Sequence, residues 1–325
     1  MTKIGIGSRL IGSALLALTL GSAHASDLVK VTPLGGQDGE FCAADRALIF
    51  EDPNGTRILY DPGRTVAGPA DPRLGKIDVV LVSHMHGDHV GDKHTKAVNA
   101  GQCGKPDVSV NSSPETLVVQ IAMAKGAKII TGSEMPTFFA AKLRAAGGDP
   151  SKSVLARFGA TVVVNGINIS TVPAAHSNGI DGDLIGGQLG HELTDAGLTA
   201  YAGPPTGYVL KFSNGLVTYL SGDTGIIADQ KEVVGAYYKP ALAVMNIGDT
   251  YTTGPKEAAF VINEWIKPAS VIPSHANEAA TQGGKVLPNT RTAAFISAVK
   301  VKTYVPLSGK EMGFDAQGEC EKGCE

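Results

Sequence analysis

A chain of 325 residues, 43% hydrophobic and 18% charged, has ample material for a packed core and is neither disordered nor fibrous in composition. Its net charge of −3 gives no basic footprint, which argues against nucleic acid as a partner. The 41 glycines point to many turns and short strands rather than long helices.

The first 25 residues stand apart. Lys3 and Arg9 lead into Leu10–Leu20, apolar except for Gly, Ser and Thr, and Ala23-His24-Ala25 has the small-x-small pattern of a cleavage site. Residues 1–25 are expected to be a signal peptide, with 26–325 as a single mature domain; the apolar stretch is too short to span a bilayer well. Losing Lys3 and Arg9 would take the net charge from −3 to −5. The expected location is periplasmic or secreted, with no membrane contact after cleavage. Cys42, Cys103, Cys320 and Cys324 fit that compartment as disulfides. Of three possible pairings, Cys42–Cys103 with Cys320–Cys324 is preferred, because the last two are close together in a polar tail.

From Asp27 the chain reads as strands: Leu28–Leu34, then Phe41–Glu51 and Thr56–Tyr60 joined through Asn54-Gly55, a strong hairpin signal. After a Pro/Gly loop, Val79–Val82 reads as a buried strand. A helix is expected from His89 to about Ala100, then a short strand at Val108–Val110. Ser113-Pro114-Glu115 resembles a helix start, Ser capping and Pro first, for a helix running to Gly126. Lys128–Thr131 follows as a strand and Pro136–Ala146 as a helix. Strands Ala160–Val164 and Ile167–Val172 turn at Asn165-Gly166. Residues 178–206, Gly-rich with few apolar runs, read as an active-site flap. Gly207–Ser213 and Leu216–Leu220 form another hairpin. Helix Ala228–Tyr238, strand Ala241–Ile247, helix Pro255–Ile266, strand Ala269–Pro273, helix Thr290–Val301 and strand Lys302–Pro306 complete the chain. Both halves open with hairpins and go on to strand–helix alternation, which predicts two packed sheets with helices outside.

The chemistry gathers where strands end. Val79–Val82 stops at Ser83 and opens into His84-x-His86-x-Asp88-His89, four metal-capable side chains within six residues. Imidazole and carboxylate donors without thiolates suit zinc, manganese or iron and do not resemble a structural Cys-type zinc site. Four ligands this close cannot all wrap one ion, so His84 and His86 would serve one metal, and Asp88 and His89 a second. His176, Asp223 and His275 also follow apolar strands, and strand-end loops on one sheet edge converge on a single crevice. His94 reads as a helix-surface residue and His191 as part of the flap. Asp249 either orients a histidine from behind or caps a turn. Tyr251 and His191 are weak candidates for a substrate-side donor.

His84-x-His86-x-Asp88-His89 followed by His176, Asp223 and His275 resembles the metallo-β-lactamase superfamily over essentially the whole mature chain. The resemblance implies an αβ/βα four-layer sandwich, two mixed sheets face to face with helices outside, and a dinuclear site on its rim. It assigns His84, His86 and His176 to the first metal and Asp88, His89 and His275 to the second, with Asp223 bridging. True β-lactamases of this fold usually carry Cys or Ser where Asp223 stands. Gly248-Asp249 through Gly254-Pro255, with Val-Ile-Pro273-Ser-His275, further resembles L-ascorbate-6-phosphate lactonase-like hydrolases. The signal peptide and the 178–206 segment depart from that branch.

The expected activity is hydrolysis of a lactone, ester or phosphoester in a small-molecule substrate. A hydroxide bridging two divalent ions, zinc by default and Mn2+ or Fe2+ as alternatives, would attack, with Asp88 and Asp223 as the catalytic carboxylates. Alternatives are β-lactamase-like or phosphodiesterase activity on the same residues, a single-iron dioxygenase, and a non-catalytic periplasmic metal- or ligand-binding protein. The substrate and the oligomeric state have no signature in the sequence.

Overall fold

Side chains of successive strand residues point to opposite faces. In strand Val79–Leu81 all three are buried, so the strand needs cover on both sides. The computed structural model describes residues 1–2 and 27–324; the expected signal peptide thus lies outside the described residues, apart from its first two. Val79–Leu81 lies within an eight-stranded sheet. From edge to edge this sheet runs Ser153–Leu155, Lys128–Thr131, Val79–Leu81, Arg57–Tyr60, Ala47–Glu51, Val29–Leu34, Met312–Phe314 and Cys320–Lys322. The second sheet has seven strands: Thr161–Val164, Ile167–Pro173, Thr206–Lys211, Val217–Leu220, Leu242–Asn246, Ser270–Ser274 and Lys302–Thr303. Each sheet is antiparallel in its hairpin part and parallel beyond it: Arg57–Tyr60, Val79–Leu81, Lys128–Thr131 and Ser153–Leu155 run together in the first. Val217–Leu220, Leu242–Asn246, Ser270–Ser274 and Lys302–Thr303 do so in the second.

Between the sheets lie Phe50, Ile58, Val79 and Leu81 from one and Ile169, Tyr208, Val244 and Ile272 from the other. The outer face of the first sheet, through Ile49, Leu59, Val80 and Ile129, packs on helices Leu117–Lys125 and Met135–Ala145. Val209, Tyr219, Ala243 and Val271 face outward from the second sheet, toward helices Gln230–Tyr238, Pro255–Phe260 and Arg291–Ala298. The architecture is the αβ/βα sandwich the sequence implies, and both expected disulfides, Cys42–Cys103 and Cys320–Cys324, are formed.

Several local expectations fail for identifiable reasons. The helix expected to reach Ala100 is one turn, Gly87–Val90, ending at Gly91, whose φ of 70° leaves the helical region. His94 is therefore no helix-surface residue: it is buried in the short strand Lys93–His94, and its Nδ1 bonds the Thr95 carbonyl. The helix at 117 is capped by Thr116, whose side chain accepts from Val119 N, rather than by Ser113, which lies in a turn before it. Residues 178–206 are not an irregular flap. They hold helices Gly182–Ile185 and Gly187–Asp195 and a strand pair, Gly179–Ile180 with Ala200–Tyr201. Two of their glycines serve contact rather than flexibility, since a Cβ on Gly182 would lie within 2.3 Å of the Gly190 carbonyl oxygen. The final helix is shorter than expected, Arg291–Ala298, and the closing strand is only Lys302–Thr303. Beyond them two strands absent from the sequence reading, Met312–Phe314 and Cys320–Lys322, return to the first sheet against Val29–Leu34.

Candidate metal centre

Every site residue sits on a rim that the strand directions create. Parallel strands Arg57–Tyr60, Val79–Leu81, Val217–Leu220 and Ser270–Ser274 run out into Asp61, His84, Asp223 and His275. His176 follows Ile167–Pro173. The two sheets are tied together directly behind the first histidine: the Tyr208 hydroxyl donates to the carbonyls of Val82 (2.7 Å) and Ile130 (3.1 Å), and Thr206 N donates to Ser83 O.

The structure brings all seven sequence-selected side chains together. Three overlapping groups place their donor atoms within 4.8 Å of one another: His84, His86 and His176; His84, His89 and Asp223; Asp88, His89 and His275. Asp223 Oδ2 is the hub, 2.9 Å from His275 Nε2, 3.4 Å from His89 Nε2, 3.6 Å from His176 Nε2 and 3.8 Å from His84 Nε2. Asp88 Oδ2 lies 3.5 Å from His275 Nε2 and 3.7 Å from His89 Nε2. His86 Nδ1 is 3.3 Å from His176 Nε2. His84, His89, Asp223 and His275 are buried, while His86, Asp88 and His176 are partly open.

A second layer, which the sequence reading passed over, fixes these rings. Asp61 Oδ2 bonds His89 Nδ1 at 2.8 Å and accepts from the Ser83 hydroxyl at 2.7 Å, while its Oδ1 accepts from Ser83 N. With its proton given to Asp61, the Ser83 oxygen is left to accept from His84 Nδ1 at 2.9 Å. Both rings then turn Nε2 to the centre, and these two buried nitrogens have no hydrogen-bond partner. Orphaned ring nitrogens facing two carboxylates fit a divalent cation, so the donor set passes the chemical test for a metal. Arg46 donates from Nε and Nη2 to Asp88 Oδ2 at 3.2 and 3.0 Å. Asp61 and His275 have φ of 40° and 54°, backbone strain that costs roughly 1–3 kcal/mol at each residue and recurs at functional sites.

The signal for Asp61 is present in the sequence, because it too ends a strand. Arg46 had a subtler one. Ala47–Glu51 runs antiparallel to Arg57–Tyr60, so its beginning lies at the rim where its neighbour ends. Asp249 does not reach a histidine: it is exposed, and its Oδ1 accepts from Thr250 N. The residue packed on the His275 ring is Gly248, whose added Cβ would lie 2.7 Å from Nδ1. Tyr251 is exposed on an open cavity of about 650 Å³ that Ala175, Gly225 and Ile226, near His176 and Asp223 in the chain, also line. His191 lines a different cleft with Asn111 and Ser113.

Electrostatics within the cluster are one-sided. Burial pushes His84 well below the usual imidazole range, and His89 adds to the push. Burial also lowers His86 and His176. At His89 burial is overcome by Asp223, Asp88 and Asp61, which hold its pKa up to about 10. Burial would raise Asp88 and Asp223, but His89, with Arg46 beside Asp88 and a His275 hydrogen bond to each, keeps both well below the carboxylate range. The carboxylates thus demand positive charge at the centre, and a divalent ion that answers the demand would displace the His89 proton.

The beta-lactamase superfamily domain matches residues 44–275, a span that begins before Arg46 and ends at His275. The chain belongs to the metallo-β-lactamase superfamily. Within it, this superfamily member is 30% identical over 276 residues to a UPF0173 metal-dependent hydrolase of Cupriavidus metallidurans, covering 81% of this chain and 80% of the relative. A UPF0173 metal-dependent hydrolase of Methanopyrus kandleri is 31% identical over 227 residues, 68% of this chain and 77% of the relative. In fold it is similar to Igni18, a metallo hydrolase from Ignicoccus hospitalis, with a TM-score of 0.58 at 23% identity, covering 89% of this chain and 99% of that one. The superfamily member is accordingly a metal-dependent hydrolase with His and Asp groups able to bind a metal.

Proposed function

We propose that the centre is a two-ion site that hydrolyses a lactone, ester or phosphoester in a small molecule. His84, His86 and His176 would hold one divalent ion, Asp88, His89 and His275 the other, and Asp223 would lie between them. The observation that carries this reading is the position of Asp223 Oδ2, within 3.8 Å of imidazole nitrogens belonging to both groups. Zinc is the default ion, with manganese or iron(II) also suited, because nitrogen and oxygen donors select weakly among them.

Bound ions would supply a nucleophilic hydroxide near neutral pH and polarise the scissile group. The protein's own part is to orient and to hold charge. Asp61 and Ser83 keep His89 and His84 in one tautomer each. Asp223, with a side chain 4% exposed, is enclosed and serves to fix positions; Asp88, at 28%, is the more open. Arg46 occupies Asp88 Oδ2, which leaves Oδ1 to accept a proton from an attacking water. The open cavity lined by Ala175 and Gly225, chain neighbours of His176 and Asp223, with Tyr251 also in its wall, would receive the rest of the substrate.

We also read residues 1–25 as an export signal. The two disulfides support a periplasmic or secreted location, since such bonds persist in oxidising compartments. No helix among the described residues is long and apolar enough to cross a membrane.

The test is a panel of chromogenic esters, lactones, phosphodiesters and a cephalosporin, run with zinc, manganese or iron and paired with elemental analysis. The wild-type chain should hydrolyse at least one class. His86→Ala should lose that activity together with bound metal; full activity in metal-free protein would refute the reading.

A further inference from the structure

We propose that Arg46 makes the two halves of the centre unequal, so that the Asp88–His89–His275 half holds its cation more weakly than the His84–His86–His176 half. The inference rests on the two-ion reading above and uses a residue to which that reading gives no role in metal affinity.

Arg46 is buried, its side chain 5% exposed, and its donors are committed. Nε and Nη2 both reach Asp88 Oδ2, Nη2 also donates to Asn277 Oδ1 at 2.6 Å, and Nη1 donates to the carbonyls of Asp45 (3.0 Å) and Ala43 (3.4 Å). The loop beneath is pinned as well: the Asp45 carboxylate accepts from Gly36 N and Cys42 N, and Cys42 is bonded to Cys103. The guanidinium, a positively charged group, is therefore fixed in place.

The oxygen it grips is the one that faces the imidazoles. Asp88 Oδ2 is 3.5 Å from His275 Nε2 and 3.7 Å from His89 Nε2. One carboxylate oxygen is thus shared between a permanent cation and the place a metal ion would take. Donor type alone would rank this half the stronger, since it offers a carboxylate where the other offers three neutral rings. Arg46 reverses that order in two ways: it neutralises the carboxylate, and it repels a divalent ion across a short, poorly screened distance. The other half has no such neighbour at His86, where the adjacent group is the neutral Ser177 hydroxyl, 3.2 Å from Nε2. Arg46 also orients Asp88, and a lysine at this position, which keeps the charge without the fork, separates that role from repulsion.

Calorimetric titration of the metal-stripped full chain with zinc tests this. Wild type should bind in two steps, the stronger removed by His176→Ala and the weaker by His275→Ala. Arg46→Met should tighten the weaker step by about tenfold or more and leave the stronger unchanged; Arg46→Lys, which keeps the charge and loses the fork, should stay near wild type. A weaker step that is unchanged or loosened in Arg46→Met, or that belongs to the His176 half in wild type, overturns the proposal. Circular dichroism checks that Arg46→Met folds; where it does not, Arg46→Gln and the wild-type assignment decide. A wild-type chain that binds no zinc removes the two-ion reading and this inference together, whereas two bound ions with no Arg46 effect remove the inference alone.

Discussion

The two halves of the proposed two-ion centre are built from different material. His84, His86 and His176 supply neutral rings, and two of them are partly open, set in loops that leave different sheets. Asp88, His89 and His275 are set among charged groups, Asp61 behind His89 and Arg46 against Asp88, and the backbone is strained at His275. The imidazole half carries no formal charge of its own, while the carboxylate half is where the protein places fixed charge. In the proposed two-ion arrangement Asp223 serves both.

That division can be broken most severely at the shared residue. Asp223→Ala should empty both halves and lower kcat/KM by about a thousandfold or more, the scale expected when a group essential to charge stabilisation is removed. His176→Ala and His275→Ala should each cost one ion per chain, which elemental analysis will show. If Asp223→Ala retains two ions, the carboxylate is not the link between the halves.

A smaller effect separates the carboxylate half from the imidazole half. Asp61→Ala removes the acceptor for His89 Nδ1 and should weaken metal binding by about 10–100-fold. The loss should be larger in the step that His275→Ala abolishes, because Asp61 contacts His89 directly and reaches His84 only through Ser83. An equal loss in both steps would mean that Asp61 does not favour this half.

The least drastic test is pH. In metal-stripped protein His89 is held up to about 10, against about 6.5 in an unfolded chain. A raised imidazole pKa stabilises the fold fully below the unfolded value and loses that contribution as pH rises through the folded one. Melting temperature of the stripped protein should therefore fall between about pH 7 and pH 10, and His89→Gln should flatten that slope. Asp88 and Asp223, held low, lose their contribution in a separate acidic window and leave this range untouched. A stripped wild type with a flat profile from pH 7 to 10 would show that His89 does not carry the charge.

The residues legible in the sequence are those whose chemistry and position coincide. Four ligands packed into residues 84–89 and three more at strand ends needed no knowledge of tertiary structure. Two packed sheets with helices outside followed from hairpins succeeded by strand–helix alternation, and the family resemblance made them an αβ/βα sandwich. What escaped was set by contacts distant in sequence. Arg46 meets Asp88 only because Ala47–Glu51 runs antiparallel to its neighbour, and Met312–Phe314 is too short to show a period before it pairs with Val29–Leu34. The glycines of 178–206 misled because Gly182 and Gly190 allow close approach of two short helices, a use composition cannot distinguish from a loop.

Anomalous diffraction from crystals grown with zinc tests the central claim most directly. The account predicts two peaks, one bonded at about 2.0–2.1 Å to nitrogens of His84, His86 and His176 and the other to His89 and His275, with Asp223 between them. No peak at this rim, or a single peak that leaves either trio without an ion, would contradict it.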